Sequence, residues 1–549
     1  MDIFSKKKYF FLILLLISFG VFFRFYSLNW GAPYYFHPDE RNIASSISQL
    51  SYPSQMNPHF FAYGSLPIYC IYFIGVLSNL LHKFLFHSSG VVTTVSFEYA
   101  IVIGRIVSAS LSAVLLYLIY ALGYEIGEKK TAFYSLVLSL FSVGFIQYAH
   151  FSTFEMWLSF FTTLLCYLTV MYTKSRSRKY ILYSAFIVGI LISIKISSIV
   201  FLPLILGCLL IIDLLDLKRI RQKKIIHFEK VVLDIIVFIS ISLLVIILTS
   251  PFFWTGNSDF QSSIRYESTV ALGSLPVFYT QIFNASQPGI YQFIKVFPFI
   301  LNPFVFFSFI ISFLSIVKDF LQKKQLNLVI ITIFLLIGLF SQIFLFVKWI
   351  RYYIPILPFI YIFLGYFLAH LVKAKYSLVV FSILVIISFL YTFSYFKTVL
   401  TKTDTRIEAA TWASRHIPKS SHIISEVYDL GIVPFNQYFG SITLFNFYNL
   451  DVDDIKREEL KKLESESDYV IIPSQRVVVS RISQPNLYPN GNLFYKSLLF
   501  RSSKFKKIYE TPCDLLCRIL YLGDPVNSFE QTANVFDRPT VMIFKKTEK

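Results

Sequence analysis

Apolar runs long enough to cross a bilayer recur through the first 397 residues, and they leave few folds open. A helix that crosses the hydrocarbon core needs about 20 mostly apolar residues. Such runs lie at 9–28, 100–123, 131–149, 152–173, 180–194, 196–213, 231–250, 292–317, 327–347, 353–371 and 376–397. Composition agrees, since 55% of the 549 residues are hydrophobic and only 15% are charged, against roughly 25% charged in ordinary soluble chains. The same numbers exclude disordered, collagenous and disulfide-scaffold classes. A single soluble core is excluded too, because the runs outlast any core element. The expected fold is a mainly α, polytopic membrane protein with about eleven transmembrane helices. The run 180–213 is too long for one span, and Lys195 near its middle divides it into two short ones meeting at a membrane surface.

Charge placement tests that count. The net charge of +18 comes from 50 basic and 32 acidic residues. From residue 398 onward the balance is nearly even, 20 basic to 18 acidic, so the first 397 residues hold 30 basic and 14 acidic. A basic surplus in a hydrophobic region offers no soluble face to nucleic acid, and no nucleic-acid partner is expected. The excess of Lys and Arg in cytoplasmic loops explains it better. With the N-terminus inside, the inner gaps hold Lys6–Lys8, Lys129–Lys130, Lys174–Lys179, Lys218–Lys230, Lys318–Lys324 and Lys373–Lys375, which together carry 20 of the 30 basic residues. Counting 65–86 as a further span would break the alternation. That run, after the Gly64-Ser65-Leu66-Pro67 turn, is read as a helix lying in the interface. Residues 1–28 resemble a signal peptide, but the apolar core is too long and no small-residue cleavage site follows, so a retained first span is expected.

Three segments then face outside: the loops 29–99 and 251–291 and the tail 398–549. The division expected is a transmembrane catalytic domain, 1–397, and a small α/β extracytoplasmic domain, 398–549. In the tail, Thr403-Asp404 caps a helix through Ala413, Pro418 ends it, and strand-like runs follow at Ile423–Val427, Tyr469–Ile472 and Val541–Phe544. Cys70, Cys166 and Cys208 sit in apolar runs as packing residues, while Cys513 and Cys517 suit either a bridge or two free thiols. Asn284-Ala285-Ser286 fits a glycosylation sequon on an outer loop. No internal repeat, Gly-rich phosphate loop or metal motif of known spacing stands out.

The outer segments carry the charges that this chain otherwise avoids. The first loop opens Tyr35-Phe36-His37-Pro38-Asp39-Glu40-Arg41. Two carboxylates beside a His fit an Asp N-cap with Glu in the first turn, or a general base at the membrane surface. Glu155, in His150-Phe151-Ser152-Thr153-Phe154-Glu155, is either the end of an S-x-x-E capping box or a functional carboxylate at a membrane boundary. Arg105, Lys195, Lys348 and Arg351 lie on the same side, where the charge rule predicts few cations. They fit snorkelling side chains or a site for a phosphate leaving group.

The ordered motifs resemble a known family. His37-Pro38-Asp39-Glu40, Tyr63-Gly64-Ser65-Leu66-Pro67, Gly104-Arg105-x-x-Ser108-Ala109, His150-Phe151-x-Thr153-x-Glu155, Lys195, Lys348-x-x-Arg351-Tyr352 with Pro355 and Pro358, and Phe536-Asp537-x-Pro539 are similar to those of GT-C glycosyltransferases. The branch most resembled holds the dolichyl-phosphate-mannose protein mannosyltransferases and the bacterial aminoarabinose transferases. The resemblance implies inverting hexosyl or pentosyl transfer from a polyprenyl-phosphate sugar to a glycan, lipid or protein acceptor on the outer face of the membrane. It implies Asp39 as base, with Glu40 and Glu155 as further catalytic carboxylates. It implies Arg105, Lys195, Lys348 and Arg351 at the donor phosphate, supported by His37, His150 and Tyr352. The family usually has Asp where Glu155 stands. Metal dependence varies among its members, and no ligand cluster in the sequence decides for or against a divalent cation; no other cofactor is implied. A polysaccharide polymerase or ligase shares this topology. A lipid-linked sugar flippase would instead place paired charges or broken helices at mid-membrane.

The eleven-span topology is checked by reporter fusions after residue 400. A reporter active only outside the cytoplasm is expected to work there, and activity of a cytoplasm-only reporter would overturn the count.

Overall fold

The computed structural model describes residues 6–86, 92–217, 224–255, 257–323, 325–500 and 504–547. The first half is helical throughout: α1 (Lys6–Phe25), α2 (Pro38–Ser48), α3 (Ser65–Phe86), α4 (Phe97–Leu140), α5 (Val143–Ala149), α6 (Glu155–Ser175), α7 (Arg178–Ile194), α8 (Phe201–Leu217) and α9 (Lys224–Thr249). The short α10 (Phe252–Thr255) and α11 (Asn257–Leu272) follow. Then come α12 (Phe297–Leu301), α13 (Pro303–Lys323), α14 (Leu326–Ile343), α15 (Leu357–Tyr366) and α16 (Ala374–Tyr395).

Among the described residues, seven helices are long and apolar enough to cross a membrane, or eight if one bent pair counts as a span. Ser65–Phe86 is one of the seven, so its length and composition suit a span, where the charge alternation placed it in the interface. The runs expected at 9–28 and 196–213 contain the shorter apolar helices Leu14–Phe25 and Ile196–Cys208. Of the expected inner charge clusters, residues 218–223 and Lys324 lie outside the described residues.

Two breaks depart from the sequence reading. The runs at 100–123 and 131–149 are separate helices as expected, joined within α4 by the non-helical Gly127 (φ −154°) and Glu128 (φ 62°), but the second run is itself broken before α5. Ser142 marks that break, its hydroxyl accepting from Phe145 N as an N-cap does. The run 292–317 bends by 111° between Gln292–Leu301 and Pro303–Lys318. Asn302 causes it, with φ 64° and a side-chain carbonyl accepting from Phe304 N and Val305 N at 3.1 and 3.0 Å. Unbroken spans are therefore no ground for setting aside a transporter; the placement of charges still is.

Contacts sort the bundle into two ends. At one, Lys174 pairs with Glu125, Thr173 bonds Asn327 at 3.0 Å, Tyr366 bonds Gln325 at 3.2 Å, and the His370 ring meets Gly127 O at 3.0 Å. At the other lie the loop after α1, α2, the α5–α6 turn, Lys195 and the turn before α15. Arg24 fixes α1 to this frame, donating to Ser112, Gly20 O, Leu140 O and Ser139 O from full burial.

Beyond α16, α17 (Thr405–His416) begins at the Asp404 cap, whose carboxylate accepts from Arg406 N at 2.9 Å. A five-stranded sheet follows, β1 (Ile423–Glu426), β2 (Ile442–Phe445), β3 (Tyr469–Ile472), β4 (Phe505–Glu510) and β5 (Met542–Lys546), in the order β2-β1-β3-β5-β4. β1 pairs in parallel with β2 and β3, and β5 runs antiparallel to β3 and β4. Three strands match the expected runs; β2 and β4 were not foreseen, because their polar and basic residues hide the alternation. Residues 513–538 leave the sheet and share the core of the helical bundle, where Cys517, Leu520, Tyr521, Phe529 and Ala533 are buried.

Cys513 and Cys517 form a disulfide, while Cys70, Cys166 and Cys208 are free. Alkylation in denaturant is expected to label three thiols before reduction and all five after it. Five labelled thiols in the unreduced protein would contradict the bridge.

Candidate active site

The site is built on the start of α2. His37 occupies the N-cap position without a side-chain cap bond, and Pro38 begins the helix, which leaves Asp39 and Glu40 in its first turn. Asp39 is therefore not the cap that one sequence reading offered. Carboxylates in a first helical turn face the positive end of the helix dipole, and here they point to different partners.

Glu40 turns inward. Its carboxylate accepts from Arg105 Nε and Nη2 at 2.8 and 2.7 Å and from Ser152 N at 2.6 Å, with both side chains of the pair 0% exposed. Arg105 also donates to Leu28 O and Trp30 O at 2.9 and 2.8 Å and lies over the Trp30 ring. This pair ties four segments together: the loop after α1, the start of α2, α4 and the turn before α6. Gly104 permits the approach, since a Cβ there would collide with the Ser152 hydroxyl. Ser152 thus serves Glu40, and α6 starts at Glu155 with Phe154 as N-cap and no side-chain cap bond, so the capping-box alternative is not formed.

Asp39 turns to Arg351 instead. Arg351 Nη1 pairs with Asp39 Oδ2, and the Tyr63 hydroxyl contacts both, at 3.3 Å from Asp39 and 3.0 Å from Arg351. The Asp39 and Arg351 side chains retain 24% and 21% of their surface. Burial raises the Asp39 carboxyl, but Arg351 and the Tyr63 hydroxyl outweigh it and hold it below the ordinary carboxylate range. Gly64 places Tyr63 there: its N–H donates to Ile194 O at 2.8 Å, and a Cβ would collide with Ser193 O.

Arg351 also lines a cleft with Glu155, Lys195 and Tyr352. Apolar side chains from α6, α8, α14 and α15, among them Leu158, Phe201, Phe334 and Phe359, continue it. The Lys195 ammonium lies 4.8 Å from the Tyr352 ring centre, and burial pushes it down to about 8, with Arg351 lowering it further and Glu155 opposing. Glu155 is 3% exposed and its Oε2 has no hydrogen-bond partner.

The remaining expected residues lie around this centre. His37 packs against Phe536 and Phe151, and burial drives its ring down to about 4, which keeps it neutral. His150 sits 2.7 Å from both Ile146 O and Tyr26 O and so joins α5 to the end of α1. Lys348 is not among the residues lining the cleft; its ammonium donates to Phe346 O at 2.8 Å from near-complete burial.

Three contributors were missed. Tyr63 lay in a quoted motif without a role. Glu267 of α11 feels Arg351, Lys195 and Asp39, and burial raises its carboxyl; nothing in its neighbourhood of sequence marks it. Glu530 accepts from Ile350 N at 3.4 Å and Thr532 N at 3.1 Å, so the C-terminal segment braces the turn that carries Arg351. Among the described residues no three His, Cys, Asp or Glu side chains converge as a cation site would require.

Residues 91–244 match the model of the dolichyl-phosphate-mannose-protein mannosyltransferase family. The archaeal oligosaccharyltransferase of Archaeoglobus fulgidus, solved with an inhibitory peptide and a dolichol-phosphate, aligns over 98% of this chain and 89% of its own, with a TM-score of 0.50 at 12% identity. That likeness is one of fold. ArnT from Cupriavidus metallidurans, solved with undecaprenyl phosphate, aligns over 87% of this chain and 95% of its own, with a TM-score of 0.47 at 12% identity. The Saccharomyces cerevisiae protein O-mannosyltransferase Pmt1-Pmt2 complex, solved with its sugar donor, aligns over 47% of this chain and 35% of its own, with a TM-score of 0.35 at 19% identity. No curated protein sequence matches the chain. The match over residues 91–244 agrees with the mannosyltransferase resemblance drawn from the motifs, and the long apolar helices suit a multi-pass membrane protein.

Removing one partner of a buried ion pair costs about 3–5 kcal/mol. Arg105→Ala is accordingly expected to lower the unfolding midpoint of the purified protein markedly. An unchanged midpoint would show that the Glu40–Arg105 pair does not hold the loop.

Proposed function

We propose that this chain moves a sugar from a polyprenyl phosphate, undecaprenyl or dolichyl, to an acceptor hydroxyl on the outer membrane face, with inversion and with Asp39 as base. One observation carries the reading: Arg351 joins the Asp39 carboxylate to a cleft with cations at its head and apolar walls along its length. That layout suits a phosphate with a hydrocarbon tail. The carriers bound by the archaeal oligosaccharyltransferase and by ArnT are of the same chemical class.

The chemistry follows from the charges. An acceptor hydroxyl attacks an anomeric carbon poorly while it keeps its proton. Asp39 takes that proton as the new C–O bond forms, and the bond from the anomeric carbon to the phosphate oxygen breaks. The carrier phosphate leaves already ionised, so no second carboxylic acid is needed, unlike glycoside hydrolysis. Arg351 and Lys195 stabilise the charge that develops on it. Glu155 faces those two cations and balances them. In this reading Glu40 and Arg105 position the loop instead of touching substrate, His37, His150 and Tyr352 support the site, and Lys348 braces the turn.

We assign residues 1–397 to the membrane-embedded catalytic part and 398–549 to an extracytoplasmic part. The Cys513–Cys517 bridge supports that orientation independently of the Lys and Arg bias, since disulfides persist in oxidising compartments.

Asp39→Asn keeps the shape and hydrogen bonding of the side chain and removes its proton acceptor. Transfer of radiolabelled sugar from the lipid carrier is expected to fall about 10²–10⁴-fold with normal expression. Near wild-type transfer would refute the base. Lys195→Ala and Arg351→Ala are each expected to cost about 10²–10³ in turnover, and unchanged turnover in both would remove the phosphate site.

A further inference from the structure

A base paired with an arginine is a poor base. The Asp39–Arg351 contact holds the carboxyl below its ordinary range, as an opposite charge in contact favours the ionised form. The same guanidinium is the cation nearest both the base and the cleft. Its Nη1 serves Asp39 and Tyr63, while its Nε is buried without a partner. Trp349 backs the guanidinium, its ring centre 4.2 Å away, so Arg351 pairs with Asp39 on one side while lining the cleft with an unpartnered Nε.

From this geometry, and resting on the reading of the cleft as the donor site, we infer that Arg351 makes the base donor-dependent. Without donor, Arg351 neutralises Asp39 and keeps its proton affinity low. A donor phosphate entering the cleft takes over the guanidinium, its negative charge cancels the field at Asp39, and the carboxylate regains the basicity needed to accept the acceptor's proton. No bond to the sugar changes in this step. It is a redistribution of one cation between a carboxylate and a phosphate. The coupling is reciprocal: ionised Asp39 must weaken phosphate binding by the factor through which phosphate raises the proton affinity of Asp39. The donor therefore binds first, and an acceptor or water reaching the site earlier meets a masked base.

The test is a binding cycle, which does not need turnover. Undecaprenyl phosphate in detergent micelles is titrated into the wild-type full chain, Asp39→Asn, Arg351→Ala and the double variant, with undecaprenol to correct for the tail. Asp39→Asn is expected to bind the phosphate tighter by about 5–150-fold, the usual range of such couplings. In the Arg351→Ala background the same change is expected to give no gain, because no shared cation remains to be released. Plain repulsion between Asp39 and phosphate would behave oppositely, since removing Arg351 leaves it unscreened. A gain that persists or grows in that background overturns the inference, as does no gain in either. Arg351→Gln replaces Arg351→Ala if the latter loses its monodisperse elution. The proposed base fails separately, through an active Asp39→Asn enzyme, so the two ideas fall to different measurements. A second readout is the pH profile: the acid limb of kcat, which reports the donor complex, is expected above that of kcat/KM for the donor, which reports the free enzyme. Coincident limbs count against donor dependence.

Discussion

The buried pair of Glu40 and Arg105 is the contact on which the outer end of the bundle depends. Two opposite charges with no exposed surface are stable only when nearly every donor and acceptor is met, and here the loop after α1, α2, α4 and the turn before α6 supply those partners. Satisfying one ion pair thereby fixes four segments. Asp39 immediately precedes Glu40, so its direction toward Arg351 is set by the pair it does not belong to.

From this anchor the site divides its charges by burial. Glu40 and Arg105 are sealed and neutralise each other, while Asp39 and Arg351 stay partly open. Adjacent carboxylates in one sequence motif thus take different work, one structural and one available for chemistry. The cations follow the same rule. Arg105 has spent its donors on protein groups, whereas Arg351 and Lys195 line the cleft beside Glu155.

The C-terminal segment belongs to this arrangement as well as to the sheet. Glu530 reaches the backbone beside Arg351, Phe536 covers His37, and Asp537 accepts from Gln147 and Tyr395 at 3.0 and 2.8 Å. The outer loop adds Tyr279 and Phe283 against Trp349, which in turn backs the Arg351 guanidinium. The turn that carries Arg351 is consequently held by α14 and α15 and by residues far along the chain.

Much of this was legible in the order of residues. Apolar run length dictates membrane helices, because hydrocarbon leaves the backbone no other partner, and charge in so apolar a chain singles out Asp39, Glu155, Lys195 and Arg351, which the structure gathers at one end of the bundle. Local signals also placed α17 at Asp404 and β1, β3 and β5. Tertiary structure decided what periodicity does not encode. It broke the run at 292–317, because one asparagine at positive φ caps a new helix there. It separated Glu40 from Asp39, although both are acidic neighbours, because only packing determines which carboxylate meets a buried arginine. It brought Tyr63, Glu267 and Glu530 to Arg351 from segments with no shared motif, since an electrostatic site is defined by distance in space and the sequence records only distance along the chain.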